Sequence, residues 1–309
     1  MSDQPVIRTR GLTRYFGAKP AVYELELQVP PGCVFAFLGR NGSGKTTTIR
    51  MLLGLLQPTR GEGSLLGHDI RAIPPAERAR IGYLTEEHQL YRWMTVRECG
   101  EFQSRFYPRW NEKIFRGVIG HFALKPGARV KELSRGERAG LCLALTLAPD
   151  PELLILDDPT LGLDPVARRS LVESMIYLTR RADRTIFFSS HQLADVERVA
   201  DYIAVLDRSV LRASCSLETF RNSVQEIRLR FSAAPPALPE IPGLLQAFRS
   251  ENDLRLICAH YNGSVEQKLR ALSPASIEIA PISLEDALIS YLGERGEKSF
   301  ILSEAEAQP

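Results

Sequence analysis

Nine consecutive residues constrain the fold of this chain more than any others, because they fit the pattern G-x-x-x-x-G-K-[ST]. They are Gly39-Arg40-Asn41-Gly42-Ser43-Gly44-Lys45-Thr46-Thr47. The apolar run 33–38 before them predicts a buried strand, and residues 48–56 after them predict a helix. In that context the backbone N–H groups of the loop and the helix N-terminus bind phosphate. Lys45 is then expected to reach the β- and γ-phosphates, and the Thr46 hydroxyl to take a place on Mg²⁺.

The composition is that of an ordinary soluble globular protein, and the length of 309 residues is comfortable for two domains. The net charge of +2 gives no general attraction to nucleic acid or to an anionic membrane. Five scattered cysteines, never in a C-x-x-C pair, favour reduced thiols in the cytoplasm over disulfides or zinc. The polar start predicts no signal peptide, and no apolar run approaches the ~20 residues that cross a bilayer. A role at a membrane therefore requires a partner that spans it.

Two further apolar runs are predicted to be strands that end in polar residues. Residues 153–156 are typical of a central strand buried on both faces, and Asp157 and Asp158 follow. Residues 185–190 repeat this arrangement before His191. Open α/β sheets bind ligands at the carboxyl ends of their parallel strands. An acidic pair alone is more often a turn and a lone histidine more often structural, but their place after a phosphate-binding loop favours a site.

The intervening region, about residues 88–148, has helical periodicity and predicts a helical insert. Its last helix opens with Leu133-Ser134-Arg135-Gly136-Glu137, in which Ser134 and Glu137 match a capping box. The simple interpretation is a well-capped helix. The alternative is a second helix N-terminus able to hold phosphate.

In order and content these motifs resemble the nucleotide-binding subunit of ABC transporters over about residues 5–215. The Walker A loop corresponds to residues 39–47, the Q-loop position to Glu86 and the signature to Leu133–Glu137. Walker B corresponds to residues 153–157, and the carboxylate that follows it is Asp158. The D-loop contains Asp164, and the switch histidine is His191. Phe16 takes the adenine-stacking position, with Tyr15 as the alternative. The resemblance implies an α/β fold of the P-loop NTPase type, with a RecA-like mixed sheet and a helical subdomain.

The resemblance also implies domain bounds. We expect an ATP-binding domain over residues 1–220, a small α+β extension over 221–296 and a disordered tail over 297–309. The extension resembles that of ABC-2-type ATPase subunits and carries no recognisable catalytic residues. Packing or dimer stabilisation is its expected role, and a regulatory ligand site is the alternative, which no residue pattern supports.

In the mechanism that the resemblance implies, two such domains pair head to tail and hold ATP between Walker A of one and the signature of the other. Thr46, Asp157 and Glu86 are the expected Mg²⁺ ligands, directly or through water. Asp158 is expected to orient or deprotonate the attacking water, and His191 to steady the γ-phosphate. Most of the catalysis is then positioning and charge neutralisation.

Four positions depart from the commonest family pattern. Asp158 replaces the usual glutamate, which shortens the reach of the carboxylate and predicts slow hydrolysis. Glu86 replaces the usual glutamine, and Arg135 and Glu137 stand where LSGGQ has glycine and glutamine. The last two features resemble the ABC-2-type subgroup, which consists mostly of exporters.

The sequence therefore predicts an ATPase subunit that drives a separate membrane-spanning permease from the cytoplasmic, inner face of the cell membrane. A second ATP-binding subunit, identical or different, completes the pair, and no direct contact with nucleic acid is expected. The alternative is a soluble ABC ATPase acting on nucleic acid, ribosomes or protein assembly. One cassette, no basic run and no long coiled coil disfavour that alternative.

Overall fold

The computed structural model describes residues 4–86, 89–182, 184–292 and 302–303. They form two compact units, residues 1–201 with 208–210 and residues 202–207 with 211–309. The predicted domain boundary at residue 220 stays a prediction. The predicted start of the helical insert at residue 88 lies outside the described residues, as does the predicted disordered tail apart from residues 302–303.

The first unit contains eight strands, seven helices and a short 3-10 turn among its described residues. They are β1 (Ile7–Phe16), β2 (Lys19–Val29), β3 (Val34–Gly39), α1 (Lys45–Leu52), β4 (Arg60–Leu65), β5 (His68–Asp69), α2 (Pro75–Arg78), β6 (Ile81–Leu84), α3 (Val96–Ser104), α4 (Glu112–His121), the 3-10 turn Val130–Glu132, α5 (Arg135–Leu147), β7 (Leu153–Leu156), α6 (Pro165–Ala182), β8 (Thr185–Ser190) and α7 (Leu193–Val199).

A parallel sheet with the order β3-β8-β7-β6 organises this unit. Its strands are mostly apolar because both faces are covered, with polar residues at the two ends of β8, and the rings of Phe35 and Phe37 lie 5.8 and 5.4 Å from that of Phe187. In register, Leu38 lies opposite Ser190, and Leu156 lies opposite Phe188. The residues that follow β3, β7 and β8 therefore leave the sheet at the same edge. An antiparallel sheet with the order β2-β1-β4-β5 completes the mixed α/β core.

The helical insert has its own core, in which Val96, Phe115, Ile119, Leu141 and neighbouring residues are buried. The apolar residues of α3, α4 and α5 recur at three- and four-residue spacing and so line one face of each helix. The prediction of helices in this region is confirmed. The predicted helix 48–56 was wrong in its bounds, because α1 begins at Lys45 and ends at Leu52, ahead of Gly54 with a φ of 70°.

The second unit is a small α+β structure. Its elements are β9 (Tyr202–Asp207), β10 (Val210–Ser216), α8 (Leu217–Ser223), β11 (Val224–Arg230), β12 (Leu244–Arg249), β13 (Asp253–Ala259), α9 (Gly263–Arg270), β14 (Ser276–Pro281), α10 (Leu284–Leu292) and β15 (Leu302–Ser303). Strands β11–β14 form an antiparallel sheet with the order β12-β13-β11-β14. Its inner face buries Ile227, Leu229, Leu256, Val265 and Leu269. No described helix combines the length and apolar character needed to cross a membrane.

Replacing Thr95 with alanine should lower the free energy of unfolding by about 1 kcal/mol. The Thr95 hydroxyl accepts from the Glu98 N–H at 3.2 Å, and the Glu98 carboxylate accepts from the Thr95 N–H at 2.7 Å, so both ends of a capping box are made at α3. Chemical denaturation measures the loss. The control is Ser104→Ala, because the Ser104 hydroxyl bonds the Glu101 carbonyl at the other end of α3.

The same box gives the stability a dependence on pH. The hydrogen bonds from Thr95 lower the pKa of Glu98 from its ordinary value. A lowered folded-state pKa contributes stability above the unfolded-state pKa, and this contribution is lost as the pH falls through the folded-state pKa. The deficit of Thr95→Ala relative to the wild type should therefore shrink in acid. The titrating bond that this variant loses is the one from the Thr95 hydroxyl to Glu98 Oε2 at 2.9 Å, so an equal deficit at neutral and acidic pH would show that this bond adds no stability.

Candidate nucleotide site

The glycine-rich loop between β3 and α1 packs closely against neighbouring backbone at Gly44. Gly44 stands at the helix N-cap with a φ of 113°, and a Cβ placed there would lie 2.1 Å from the Ala21 carbonyl oxygen. Only glycine permits both the backbone angle and this close approach. Inside the loop, the Ser43 side chain is 4% exposed and its hydroxyl makes no hydrogen bond to the described residues. The loop thus presents a buried hydroxyl and a helix N-terminus to an anion.

Lys45 is the first residue of α1, and its side chain is nearly buried. Its ammonium donates to the Gly39 carbonyl at 2.9 Å and lies 3.7 Å from Asp158 Oδ2. The loop and the end of β7 therefore share this cation. The Lys45 ammonium is thus held by backbone carbonyls and one carboxylate. It is a compact positive charge that can bind phosphate oxygens.

Asp157 and Thr46 meet although 111 residues separate them. The Thr46 hydroxyl donates to Asp157 Oδ1 at 3.2 Å, and the Ser189 hydroxyl donates to the same oxygen at 2.8 Å. Burial raises the pKa of Asp157, and the hydrogen bonds from Ser189 and Thr46 oppose this effect. Both donors use Oδ1, so Oδ2 carries no hydrogen bond within the described part of the chain.

Asp158 is held between the ends of two strands. Its N–H donates to the Ser189 hydroxyl at 2.8 Å, and its Oδ1 lies 2.9 Å from His191 Nδ1. Its φ of 42° is in the left-handed region, which aspartate enters more readily than most residues. The structure thus brings Lys45, Asp158 and His191 together, and their roles toward ATP stay predictions.

The turn Leu133–Glu137 and the loop that contains Asp164 pack against each other in the same chain. Ser134 caps α5 by accepting from the Glu137 N–H, and the Glu137 carboxylate accepts from the Ser134 N–H at 2.8 Å. Asp164 caps α6 through the N–H groups of Val166 and Ala167. The Glu137 carboxylate is therefore engaged in the capping box.

Close contacts fix this pairing. A Cβ at Gly136 would lie 2.7 Å from the Ala167 Cβ, and a Cβ at Gly162 would lie 2.2 Å from the Arg135 Cζ. The exposed Arg135 guanidinium thus occupies the space that a side chain at Gly162 would need. Sequence analysis gave no sign of this contact, because the two positions lie in separate motifs.

Gly162→Ala should destabilise the protein by about 1–2 kcal/mol and slow ATP turnover. The φ of 67° at Gly162 is strained for alanine, and the new methyl group displaces Arg135. Nucleotide affinity should persist because it rests on the glycine-rich loop. The matched control is Gly117→Ala on α4, where a Cβ meets no atom within 4 Å. Thermal unfolding and phosphate release measure the two effects, and identical behaviour of the two variants would refute the role of this contact.

Two predicted site residues stand apart from this group. Glu86 is half-buried just beyond β6 and makes no hydrogen bond to another described residue. Phe16 ends β1 with 53% of its surface exposed, and the Arg14 guanidinium lies over its ring at 4.9 Å. Tyr15, the alternative for stacking, is half-buried. The exposed ring favours Phe16.

Sequence analysis missed the residues that support the site from behind. Ser189 is fully buried and bonds to both Asp157 and Asp158. The Asp195 carboxylate accepts from Thr160 at 3.0 Å and from Arg168 at 2.7 Å, which fixes the chain after Asp158. The signal for Ser189 was its place at the polar end of β8, next to His191.

A phosphate-binding loop, a carboxylate beside the loop threonine and a carboxylate–histidine pair at one sheet edge define a P-loop nucleoside triphosphatase. The comparisons with known proteins make the assignment more specific. The family described as "ABC transporter" matches residues 22–161. Bacitracin transport ATP-binding protein BcrA of Bacillus licheniformis is 34% identical over 208 residues, 67% of this chain and 68% of that protein.

The similarity extends into the second unit. Nod factor export ATP-binding protein I of Rhizobium etli is 36% identical over 299 residues, 93% of each chain. A solved structure described as an ATP binding subunit of an ABC transporter is 27% identical, covers 70% of this chain and 92% of its own, and has a TM-score of 0.64. The chain belongs to the ABC transporter family as an ATP-binding subunit. It is an ATPase, and the α/β P-loop cassette predicted from the sequence is confirmed.

Proposed function

We propose that this subunit powers export through a separate membrane-spanning permease of the ABC-2 type, working on the inner face of the cell membrane. The proposal rests on one observation, the site in which side chains of two sheet strands' ends and the phosphate-binding loop contact one another. These residues are Lys45, Thr46, Asp157, Asp158 and His191. The direction of transport rests on the relative whose name specifies Nod factor export, which aligns over nearly the whole chain. The cargo is a property of the permease.

Mg²⁺ fits the oxygen atoms beside the loop. Thr46 and Asp157 offer a hydroxyl and a carboxylate already in contact, and hard oxygen ligands are those that Mg²⁺ prefers. When bound, the ion neutralises charge on the β- and γ-phosphates. We assign Thr46 and Asp157 as its protein ligands. Glu86 remains a proposed contributor through water, since it lies at the same edge of the sheet.

The remaining residues divide the work on ATP between binding and hydrolysis. The backbone of residues 39–47 and the Lys45 ammonium hold the phosphates, and Phe16 stacks on the adenine. Asp158 orients or deprotonates the attacking water. The short contact with His191 keeps the Asp158 carboxylate oriented toward that water. His191 then contacts the γ-phosphate from the other side.

A second ATP-binding subunit completes the site. Ser134, the Gly136 backbone and Arg135 are exposed or lie at an exposed helix N-terminus, so they meet the γ-phosphate held by the opposite subunit. Leu133 anchors the turn in the insert core, and the capping box engages the charge of Glu137. Packing of this turn on the Asp164 loop makes the two motifs move together.

An aromatic patch supports the permease partner. Tyr91, Trp93, Phe102 and Phe106 of the helical insert are 58%, 67%, 43% and 65% exposed. The ring centroid of Tyr91 lies 6.0 Å from that of Trp93 and 6.0 Å from that of Phe102. The ring centroid of Phe102 lies 5.2 Å from that of Phe106. Contiguous exposed aromatic surface is typical of interaction sites, and tryptophan and tyrosine carry much of the binding energy in interfaces. We assign this patch to the permease.

The test is affinity purification of the tagged chain from gently solubilised membranes and from cytosol. The wild type should retain a multi-spanning protein, and the double variant Trp93→Ala, Phe106→Ala should retain at least tenfold less. Leu55→Ala is the matched control, because Leu55 is 61% exposed outside the patch. Recovery of the chain only from cytosol would reject the permease proposal. Equal capture of the multi-spanning protein by the double variant would reject the docking patch.

A further inference from the structure

The outward face of the sheet β12-β13-β11-β14 carries a row of side chains that this function leaves unused. Phe248, Arg255, Arg228 and Glu278 lie opposite one another on the four strands in turn. The neighbouring positions along β11 and β13, such as Leu229 and Leu254, point into the core instead. The row is therefore a continuous polar strip across the second unit.

Arg228 and Arg255 are directly opposite each other on paired strands, an arrangement that like charges disfavour. A buried carboxylate makes it possible. Glu226, 6% exposed, accepts from Arg228 Nε at 2.6 Å and from Arg255 Nε at 2.8 Å, and its Oε2 lies 2.7 Å from Arg255 Nη2. The Arg255 bond is the main cause that lowers the pKa of Glu226, so this carboxylate stays charged. One anion thus orients two cations.

The two guanidinium groups keep hydrogen-bond donors for a ligand. Arg228 uses only Nε, and its side chain is 63% exposed; its Nη atoms bond to no other described residue. Arg255 keeps Nη1 and lies over the Phe248 ring at 5.4 Å, which fixes its plane. Paired, oriented guanidinium forks match the oxygens of a phosphate group.

These donors line a cleft of about 320 Å³ whose other walls include Arg230, Glu278 and Ser276. This volume is within the range of small-molecule sites and leaves most of the cleft unfilled by a bare anion. The carboxylate and hydroxyl oxygens on its walls accept hydrogen bonds from hydroxyl groups. The ligand should therefore combine a phosphate with neighbouring hydroxyls.

We propose that this cleft binds a phosphorylated polyol, with Arg228 and Arg255 as a phosphate clamp. Two sources share this chemistry, a free polyol phosphate such as glycerol 3-phosphate and the headgroup of a phosphatidylglycerol lipid. Every residue in the cleft belongs to the second unit, and none is among the residues assigned to ATP.

The experiment measures both sources on the full chain, with the nucleotide site saturated by a non-hydrolysable ATP analogue. Calorimetry reports binding of glycerol 3-phosphate. Co-sedimentation reports binding to phosphatidylglycerol vesicles, with phosphatidylcholine vesicles as reference. Binding of the soluble probe alone identifies a free metabolite, binding to vesicles alone identifies a lipid headgroup, and either result supports the clamp if it depends on the arginines.

Arg228→Gln and Arg255→Gln should each weaken the observed binding about tenfold or more. Lysine at either position should restore it only in part, since an ammonium lacks the planar fork. The control is Arg270→Gln, which removes a charge that is 69% exposed, against 63% for Arg228, and that is paired with Glu266 on α9. ATP turnover should be the same in all variants. The proposal is overturned if the wild type binds neither probe, or if Arg270→Gln weakens binding as much as the clamp variants do.

Discussion

Asp158→Asn should reduce ATP turnover at least ~10²-fold while the protein continues to bind nucleotide. The substitution keeps the size and the hydrogen-bonding outline of the side chain but removes the charge that lies 2.9 Å from His191 and 3.7 Å from Lys45. Loss of this negative charge beside the phosphate loop should leave affinity unchanged or raise it. Phosphate release at saturating Mg·ATP and fluorescent-nucleotide binding separate the two effects.

The matched control is Asp150→Asn, because Asp150 precedes β7 at the opposite end of the strand and pairs with Arg184. If two cassettes close on ATP, the Asp158→Asn protein should also form an ATP-dependent dimer that persists during gel filtration. If Asp158→Asn keeps the wild-type rate of turnover, another group is the base, and Glu86 is the first candidate.

Asp158→Glu tests why the family's usual glutamate is absent. From reach alone, glutamate should raise turnover or leave it unchanged. The backbone adds an opposing effect, since a φ of 42° is less accessible to glutamate, and left-handed conformations cost roughly 1–2 kcal/mol per residue. We therefore expect lower thermal stability with retained activity. Complete loss of activity would show that the pocket has adapted to the shorter side chain.

Ser189→Ala should have the second-largest effect, because one hydroxyl serves both carboxylates. Its removal leaves the buried Asp158 N–H without an acceptor and takes a donor from Asp157. We expect a loss of about 1–3 kcal/mol in the free energy of unfolding. Turnover should fall between ~10- and 10²-fold, the scale of a small displacement of catalytic groups. Denaturation and phosphate release measure these changes.

Ser190→Ala is the control for this variant. Ser190 is the next residue of the same strand, is 2% exposed, and bonds only to the backbone of Gln192. Its loss should cost stability without an equal loss of turnover. Equal effects of the two variants on turnover would mean that the hydroxyl of Ser189 acts only through packing of the strand.

The sequence was sufficient to place the phosphate-binding loop, the acidic strand end and His191 at one sheet edge. Each is a local pattern followed by a strand end, and parallel topology then brings the ends together. The strands β3, β7 and β8 were predicted within one or two residues, because their apolar runs are sharply bounded by polar ones.

Contacts between distant segments could not be predicted in this way. Ser189 is indistinguishable from a packing serine until its distance to Asp157 is known, and Arg135 meets Gly162 only in three dimensions. Strand β12 has no clear signal in the sequence because Leu244–Arg249 does not alternate strictly between apolar and polar residues. Glu226 shows the same limit, since a buried glutamate in a strand has no local signature.

The long separation between Thr46 and Asp157 has a consequence for biosynthesis. The glycine-rich loop leaves the ribosome more than a hundred residues ahead of the carboxylate that its threonine contacts, and β8 with Ser189 follows 32 residues later still. A nascent chain that ends between Thr46 and Asp157 has the loop but lacks the carboxylate ligand and Asp158. Nucleotide bound that early cannot be hydrolysed, and the part of the site that one chain supplies is complete only when β8 inserts between β3 and β7.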